Sequence, residues 1–94
     1  MKRLKVSAGT EVGGLAGAIA GAIRQGEEAE IVSVGAGALN QSVKAVAIAK
    51  EFLLREGKEI AVSPSFLGIS IDGSEKTAIN IHVFEILTET AEAM

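Results

Sequence analysis

Glycine, asparagine and lysine follow one another closely between positions 35 and 44, and their types and spacing suit contact with an anion. Gly35 and Gly37 allow a backbone path that other residues disfavour, and a helix-forming composition begins at Ala38. A glycine turn at a helix N-terminus presents unpaired backbone N–H groups and a partial positive charge, which is how many proteins bind phosphate. Asn40 and Lys44 lie one turn further along the same polar stripe. The glycines equally suit a tight turn between a strand and a helix, so the local sequence leaves both interpretations open.

Other kinds of site find less support in the sequence. The single histidine, His82, has no neighbouring Ser, Asp or Glu along its strand, so we expect a surface or interface histidine rather than a general base. The chain contains no cysteine, which excludes thiolate metal sites, disulfides and a cysteine nucleophile. The pattern Gly35-x-Gly37 is an incomplete dinucleotide fingerprint, because the acid expected about 20 residues later does not follow a strand. We therefore expect no metal and no cofactor.

Length and charge bound the class of protein. With 94 residues the chain is long enough for one domain with a modest core. Of its residues, 48% are hydrophobic but only 3% are aromatic, which predicts a core of close-packed aliphatic layers. The net charge is −3, but two acids lie in the C-terminal tail, and nine basic and ten acidic residues leave residues 1–86 with −1. A nearly neutral body neither demands nor excludes a nucleic-acid partner.

The N-terminal half shows no targeting segment. Its longest uncharged run, residues 12–23, is shorter than the roughly 20 residues of a membrane-spanning helix. It also lacks the features of a secretory signal, because a strand precedes it and no cleavage region follows. We therefore expect a cytoplasmic protein.

Apolar periodicity predicts two strand–helix units followed by a hairpin. The predicted elements are a strand at 4–7, a helix from Glu11 to Gln25 behind a Thr10 N-cap, a strand at 30–34, a helix from 38 to about 55, and strands flanking 64 and 81. Gly26 should end the first helix in a left-handed conformation. Right-handed crossovers would place both helices on one face of a four-stranded mixed sheet. The fold class is thus α/β, as a two-layer α+β sandwich of order β-α-β-α-β-β, with a core at about 4–86 and a polar tail at 87–94.

Spacing within the two helices predicts their packing. In the first helix, apolar residues at three- and four-residue intervals form a core stripe: Val12, Leu15, Ile19 and Ile23. Gly13, Gly17 and Gly21 form a second stripe, which we expect to pack closely on a neighbouring element. In the second helix, residues 45–49 are apolar at every position, more than one covered face requires. This predicts a homodimer, or a higher even oligomer, built on that helix and the adjacent strand.

The hairpin poses a question of register. Residues before and after Pro64 alternate in opposite phase, so Pro64 should mark a bulge. Matching the two isoleucine sets on one face would pair Ile69 with Ile79 and Leu67 with Ile81, through an odd-length turn within 72–76. Polar residues would then share the other face: Lys76, Asn80 and His82, together with Phe66 and Ser70.

Beyond these patterns, residues 35–50 (GAGALNQSVKAVAIAK) resemble the central motif of the stage V sporulation protein S family, a small bacterial family with an Alba-like fold. Shorter segments of the family follow in the same order, at 4–7, 15–18, 64–66, 71–73 and 77–79, so the resemblance spans about residues 4–86. It implies a cytoplasmic regulator in sporulation or related development rather than an enzyme. Through the wider Alba superfamily it implies a dimeric protein that binds DNA or RNA.

The resemblance and the local chemistry together indicate a set of phosphate-contacting residues: Gly35, Ala36, Gly37, Asn40, Lys44, Lys5 and Lys76. Because cations are few, such binding should be weak and sensitive to salt. A second hypothesis remains open, in which the surface, acidic overall, docks on another regulatory protein and no nucleic acid is involved.

Overall fold

A computed structural model of the chain describes residues 1–87. Its elements follow the predicted order: β1 (Lys2–Val6), α1 (Val12–Arg24), β2 (Ala29–Ser33), α2 (Ala36–Leu54), β3 (Glu59–Ile71) and β4 (Ser74–Ile86). The predicted tail lies, apart from its first residue, outside the described residues.

The four strands form one mixed sheet in the order β1-β2-β4-β3. β1 runs parallel to β2, whereas β4 is antiparallel to both of its neighbours, β2 and β3. The two helices pack on each other and on one face of this sheet. The predicted two-layer α+β sandwich is therefore confirmed.

The core lies between the helices and the sheet. Leu15, Ile19 and Ile23 of the predicted α1 stripe are buried, and Val12 packs at the edge of the same cluster. On the sheet, Ile31 pairs with Ile81, and both are buried. None of the described aromatic side chains is buried, as the aliphatic composition predicted.

The start of α1 differs from the prediction by one residue. Its N-cap is Glu11, whose Oε2 accepts a hydrogen bond from the backbone N–H of Gly14 at 2.7 Å. Thr10 instead closes the preceding loop, because its Oγ1 accepts the N–H of Ser7 at 2.8 Å. At the other end of α1, Gly26 has φ 78°, as predicted.

The glycine stripe of α1 does not pack on another element of the described chain. A Cβ added at Gly17 or Gly21 would meet nothing within 4 Å, and one at Gly13 would meet only the side chain of Glu11. The packing prediction is therefore wrong for residues 1–87. The physical reason is that the apolar core stripe of α1 faces the sheet, so the side of the helix that carries the glycines faces away from the core.

The predicted hairpin register is wrong. Leu67 pairs with Ala78, and Ile69 pairs with Lys76, not with Ile79. The cause is the turn: Asp72 has φ 51° and Gly73 has φ 78°, and two consecutive residues with positive φ build the two-residue turn that matches strand twist. Local turn chemistry thus decides the register over the matching of apolar residues.

The register continues unbroken from Glu59 to Ile71, so no bulge occurs at Pro64. Proline is tolerated there because β3 is an edge strand of the sheet. Phe66 pairs with Ile79 and therefore lies on the helix side of the sheet. The prediction that Phe66 and His82 share a face is wrong. We call the sheet face opposite the helices the open face. Its members include Arg3, Lys5, Glu30, Val32, Leu67, Ile69, Ile71, Lys76, Asn80 and His82.

Candidate nucleic-acid interface

The start of α2 exposes its backbone at the protein surface. Gly35 is its N-cap, with φ 90° and ψ 160°, a conformation that is essentially restricted to glycine. No side chain among residues 1–87 forms a capping hydrogen bond to this helix start. Ala36 and Gly37 are exposed in its first turn. The backbone N–H groups and the positive end of the helix dipole are therefore presented together at the surface.

The loop after β1 fixes the position of this helix start. A Cβ at Gly37 would lie 2.9 Å from the Cβ of Ala8, so glycine is needed for the two segments to approach. Gln41 Nε2 donates to the carbonyl oxygen of Thr10 at 2.9 Å. Deeper in the core, the hydroxyls of Ser33 and Ser42 lie 2.6 Å apart and join β2 to α2. The tight-turn interpretation therefore fits Gly35, whose φ is 90°, whereas Gly37 is needed for the close approach of Ala8.

Asn40 and Lys44 lie on the exposed polar stripe of α2, as predicted. Next to this stripe is an apolar one, formed by Val43, Ala47 and Leu54. Val43 is 54% exposed and Leu54 is 47% exposed, whereas Ala45 and Ala49 are fully buried. The apolar residues of this helix are therefore divided between the core and the exposed surface.

Lys5 and Lys76 lie on the other side of the sheet from α2. Lys5 is level with Val32 in the parallel β1–β2 pair, and Lys76 is opposite Ile69 in the hairpin. Both lysines are exposed. The predicted site residues therefore form two groups, one at the start of α2 and one on the open face. Ala8 connects the groups, because it contacts Gly37 and also lines a groove that includes Lys5.

Ion pairs on the open face join residues that are distant in sequence. Arg3 Nε lies 2.7 Å from Glu30 Oε1, and Asn80 Nδ2 lies 3.3 Å from Glu30 Oε2. The hydrogen bond from Arg3 is the main cause that lowers the pKa of Glu30 from its ordinary value. His82 Nε2 lies 2.7 Å from Glu28 Oε1, so the histidine has a carboxylate neighbour that its own strand does not supply.

Sequence reasoning did not include two exposed residues, Arg3 and Phe66, in the candidate site. Arg3 precedes Lys5 by two residues in a strand, a spacing that places both cations on one face and could have revealed it. Phe66 is 80% exposed on the hairpin. The sequence shows that Phe66 follows Pro64 by two residues and so lies on the same face of the strand. Which face of the sheet this is depends on the hairpin register.

Neither helix in residues 1–87 is both long and apolar enough to cross a bilayer.

The fold and its surface define a small Alba-like α+β protein. The start of α2 has no side-chain cap within residues 1–87, and lysine side chains lie both on α2 and on the open face. A model of the family described as stage V sporulation protein S (SpoVS) matches residues 2–86. The chain therefore belongs to the stage V sporulation protein S family. Membership indicates a sporulation-related regulator.

Proposed function

We propose that this protein is a non-enzymatic regulator of sporulation or related development that binds DNA or RNA in the cytoplasm. One observation carries the proposal, namely the difference between the two helix starts. The start of α1 is neutralised by the carboxylate of Glu11, whereas no side chain in the described part of the chain caps the start of α2. A phosphate oxygen at α2 would accept the kind of hydrogen bond that Glu11 accepts at α1.

The residues around α2 have complementary roles in this proposal. The backbone N–H groups of Gly35, Ala36 and Gly37 face the phosphate, the amide of Asn40 adds a donor, and Lys44 supplies a full charge. All five are exposed. Contacts of this kind position a nucleic acid without reading its bases, so preference among sequences should be slight.

Lys5 and Lys76 would act as a second, separate contact. They lie on the open face, so a strand that touches both groups has to pass over the loop that contains Ala8. With so few cations, the affinity should fall steeply as salt rises, with a slope of about 0.9 for each phosphate neutralised on double-stranded DNA.

The test is fluorescence anisotropy with labelled single- and double-stranded DNA and RNA, across salt concentrations from about 50 to 200 mM. Lys44→Glu should weaken binding and flatten the salt dependence, and Lys76→Glu should add to the effect. Lys50→Glu is the matched control, because Lys50 is an exposed lysine of the same helix outside the proposed set.

Two results would count against the proposal. If the double variant Lys44→Glu, Lys76→Glu retains the affinity and the salt dependence, the site assignment is wrong. If the unmodified protein shows no binding, or binding that does not respond to salt, nucleic-acid recognition is wrong as well. The remaining hypothesis is then an interaction module that docks on another regulatory protein.

The proposal includes a homodimer, or a higher even oligomer, built on α2 and β3. Exposed apolar side chains on these elements support it: Val43 and Leu54 on α2, and Val62 and Phe66 on β3. Sedimentation at micromolar concentration should show a species heavier than 9.6 kDa. Val43→Asp should shift it towards the monomer, whereas Lys2→Asp, at an exposed position on β1 at the opposite edge of the sheet from β3, should not. A 9.6 kDa species alone would rule the dimer out.

A further inference from the structure

A groove of about 470 Å³ crosses the open face. Arg3 and Lys5 of β1 line one side of it, Val32 of β2 lies at its floor, and Leu67, Ile69 and Ile71 of β3 line the other side. Its volume falls within the range of about 300 to 1,000 Å³ that is usual for small-molecule sites. Of these residues, only Lys5 takes part in the proposed nucleic-acid contacts, where it belongs to the second contact on the open face.

The shape of the groove follows from the hairpin register. β1 and β3 are the two edge strands of the sheet, separated by β2 and β4. In a flat sheet they would lie about 14 Å apart, since neighbouring strands are spaced by about 4.8 Å. Leu67, Ile69 and Ile71 belong to the part of the hairpin that extends beyond the last β2–β4 pair, Ser33 with Ile79, and they line one groove together with residues of β1. Ala78, opposite Leu67, is fully buried.

The lining combines an aliphatic wall with positive charge on one side. Leu67 and Ile69 are half-buried and Ile71 is 41% exposed, so the wall retains apolar surface that a ligand would cover. Arg3 is ion-paired with Glu30, but no carboxylate in residues 1–87 lies within 4.0 Å of the amine of Lys5. The net charge of Arg3, Glu30 and Lys5 together is positive, which complements an anion.

The absence of aromatic residues narrows the ligand class. No aromatic side chain from the described part of the chain lines the groove, so a base would lack the stacking partner that nucleotide sites commonly provide. A flexible aliphatic chain, by contrast, needs only apolar surface and no directed hydrogen bonds. A charged head group at one end would meet Lys5.

We propose that this groove binds a free aliphatic carboxylate, whose carboxylate pairs with Lys5 and whose chain lies along Leu67, Ile69 and Ile71. The aliphatic wall plays no part in the proposed phosphate contacts, and Lys5 is the one residue that the two proposals share.

The experiment is calorimetric titration of the full chain with straight-chain carboxylates of six to ten carbons, below their micelle concentrations. Affinity should rise about fourfold for each added CH₂ that is buried, which is the factor that corresponds to about 0.8 kcal/mol. Alkyltrimethylammonium ions of the same chain length should bind much more weakly, because their charge opposes that of Lys5.

Two variants separate the head-group contact from the chain contact. Lys5→Gln should weaken carboxylate binding about three- to fivefold at every chain length. Ile69→Ser should instead reduce the gain per CH₂. Lys50→Gln, on α2 at the other side of the sheet, should leave both quantities unchanged and serves as the control. Circular dichroism of each variant verifies that the fold is retained.

Four results would overturn the proposal. The first is the absence of binding by the ten-carbon carboxylate. The second is equal affinity for the carboxylates and the ammonium ions. The third is an unchanged response in both Lys5→Gln and Ile69→Ser. The fourth is sedimentation with vesicles of phosphatidylglycerol without binding of the monomeric carboxylate, which would assign the groove to a lipid surface.

Discussion

The two helices of this protein begin in opposite ways. At α1, the carboxylate of Glu11 accepts a hydrogen bond from the N–H of Gly14. A Cβ at Gly13 would lie 2.9 Å from this carboxylate, so glycine leaves room for it. At α2, the missing Cβ of Gly37 leaves room for Ala8, and no side chain of the residues that the structure describes caps the helix. Glycine near a helix start can thus admit an internal acid or admit a neighbouring loop. Only the second arrangement leaves the backbone open to an external anion.

The largest effect should come from filling the space beside Ala8. Gly37→Val should lower the free energy of unfolding by about 2 kcal/mol, because its side chain collides with Ala8. Urea denaturation measures the change. Adding Ala8→Gly should restore part of the loss, since the colliding methyl group is then absent.

Gly17→Ala is the contrasting control for that substitution. It lies in a helix with nothing within 4 Å of the added Cβ, and it should raise stability by about 1 kcal/mol. If Gly37→Val were as well tolerated as Gly17→Ala, Gly37 would not serve the packing of the loop on α2.

Removing the α1 cap should have the next largest effect. Glu11→Ala should cost about 1 kcal/mol, because the N–H of Gly14 loses its acceptor. Glu51→Ala, at an exposed position on α2, should change stability by less than about 0.5 kcal/mol. Equal losses in the two variants, measured by thermal denaturation, would show that the carboxylate does not cap α1.

Giving α2 its own acid should make the two helix starts alike. Ala36→Asp should raise stability by about 0.5 kcal/mol through the helix dipole, while it weakens nucleic-acid binding. Ala36→Asn, which lacks the charge, should leave binding nearly unchanged. Tighter binding by the Asp variant would contradict an anion site at this position.

The smallest effect concerns the opposite ends of the helices, which are joined by an ion pair. Arg24 Nη2 lies 2.6 Å from Glu56 Oε2, and this hydrogen bond lowers the pKa of Glu56 below its ordinary value of 4.5. A lowered folded-state pKa means that the contribution to stability is present above pH 4.5 and is lost as the pH falls below it.

Arg24→Gln should therefore lower stability slightly at neutral pH and reduce its decline in acid. Arg55→Gln, at the C-cap of α2, should not alter the acid decline. Denaturation midpoints across an acid series compare the two variants, and identical acid profiles would show that the pair contributes nothing.

The sequence predicted those parts of the fold that depend on local patterns. Apolar periodicity located the strands and helices, and Gly26 was correctly placed at the end of α1. The predicted hairpin register failed because aligning the isoleucines on one face requires an odd-length turn, whereas Asp72 and Gly73 both adopt positive φ and form a two-residue turn. The Asp-Gly pair itself carried the correct signal.

The candidate site was predictable only in part for a similar reason. The first turn of α2 and its neighbours Asn40 and Lys44 are consecutive in the chain, so their proximity follows from the helix alone. The division between these residues and Lys5 depends on which face of β1 meets the helices, and that is a tertiary property. The carboxylate beside His82 comes from the residue preceding β2, and strand pairing determines that contact.

The most direct test of nucleic-acid recognition is an amide NMR titration of the ¹⁵N-labelled protein with a single-stranded oligonucleotide at low salt. The account predicts progressive shifts at Gly35, Gly37 and Asn40, with Gly13 and Gly14 at the capped helix unchanged, and reversal of the shifts as salt is added. Shifts that spare residues 35–40, or that are equally large at the start of α1, would contradict it.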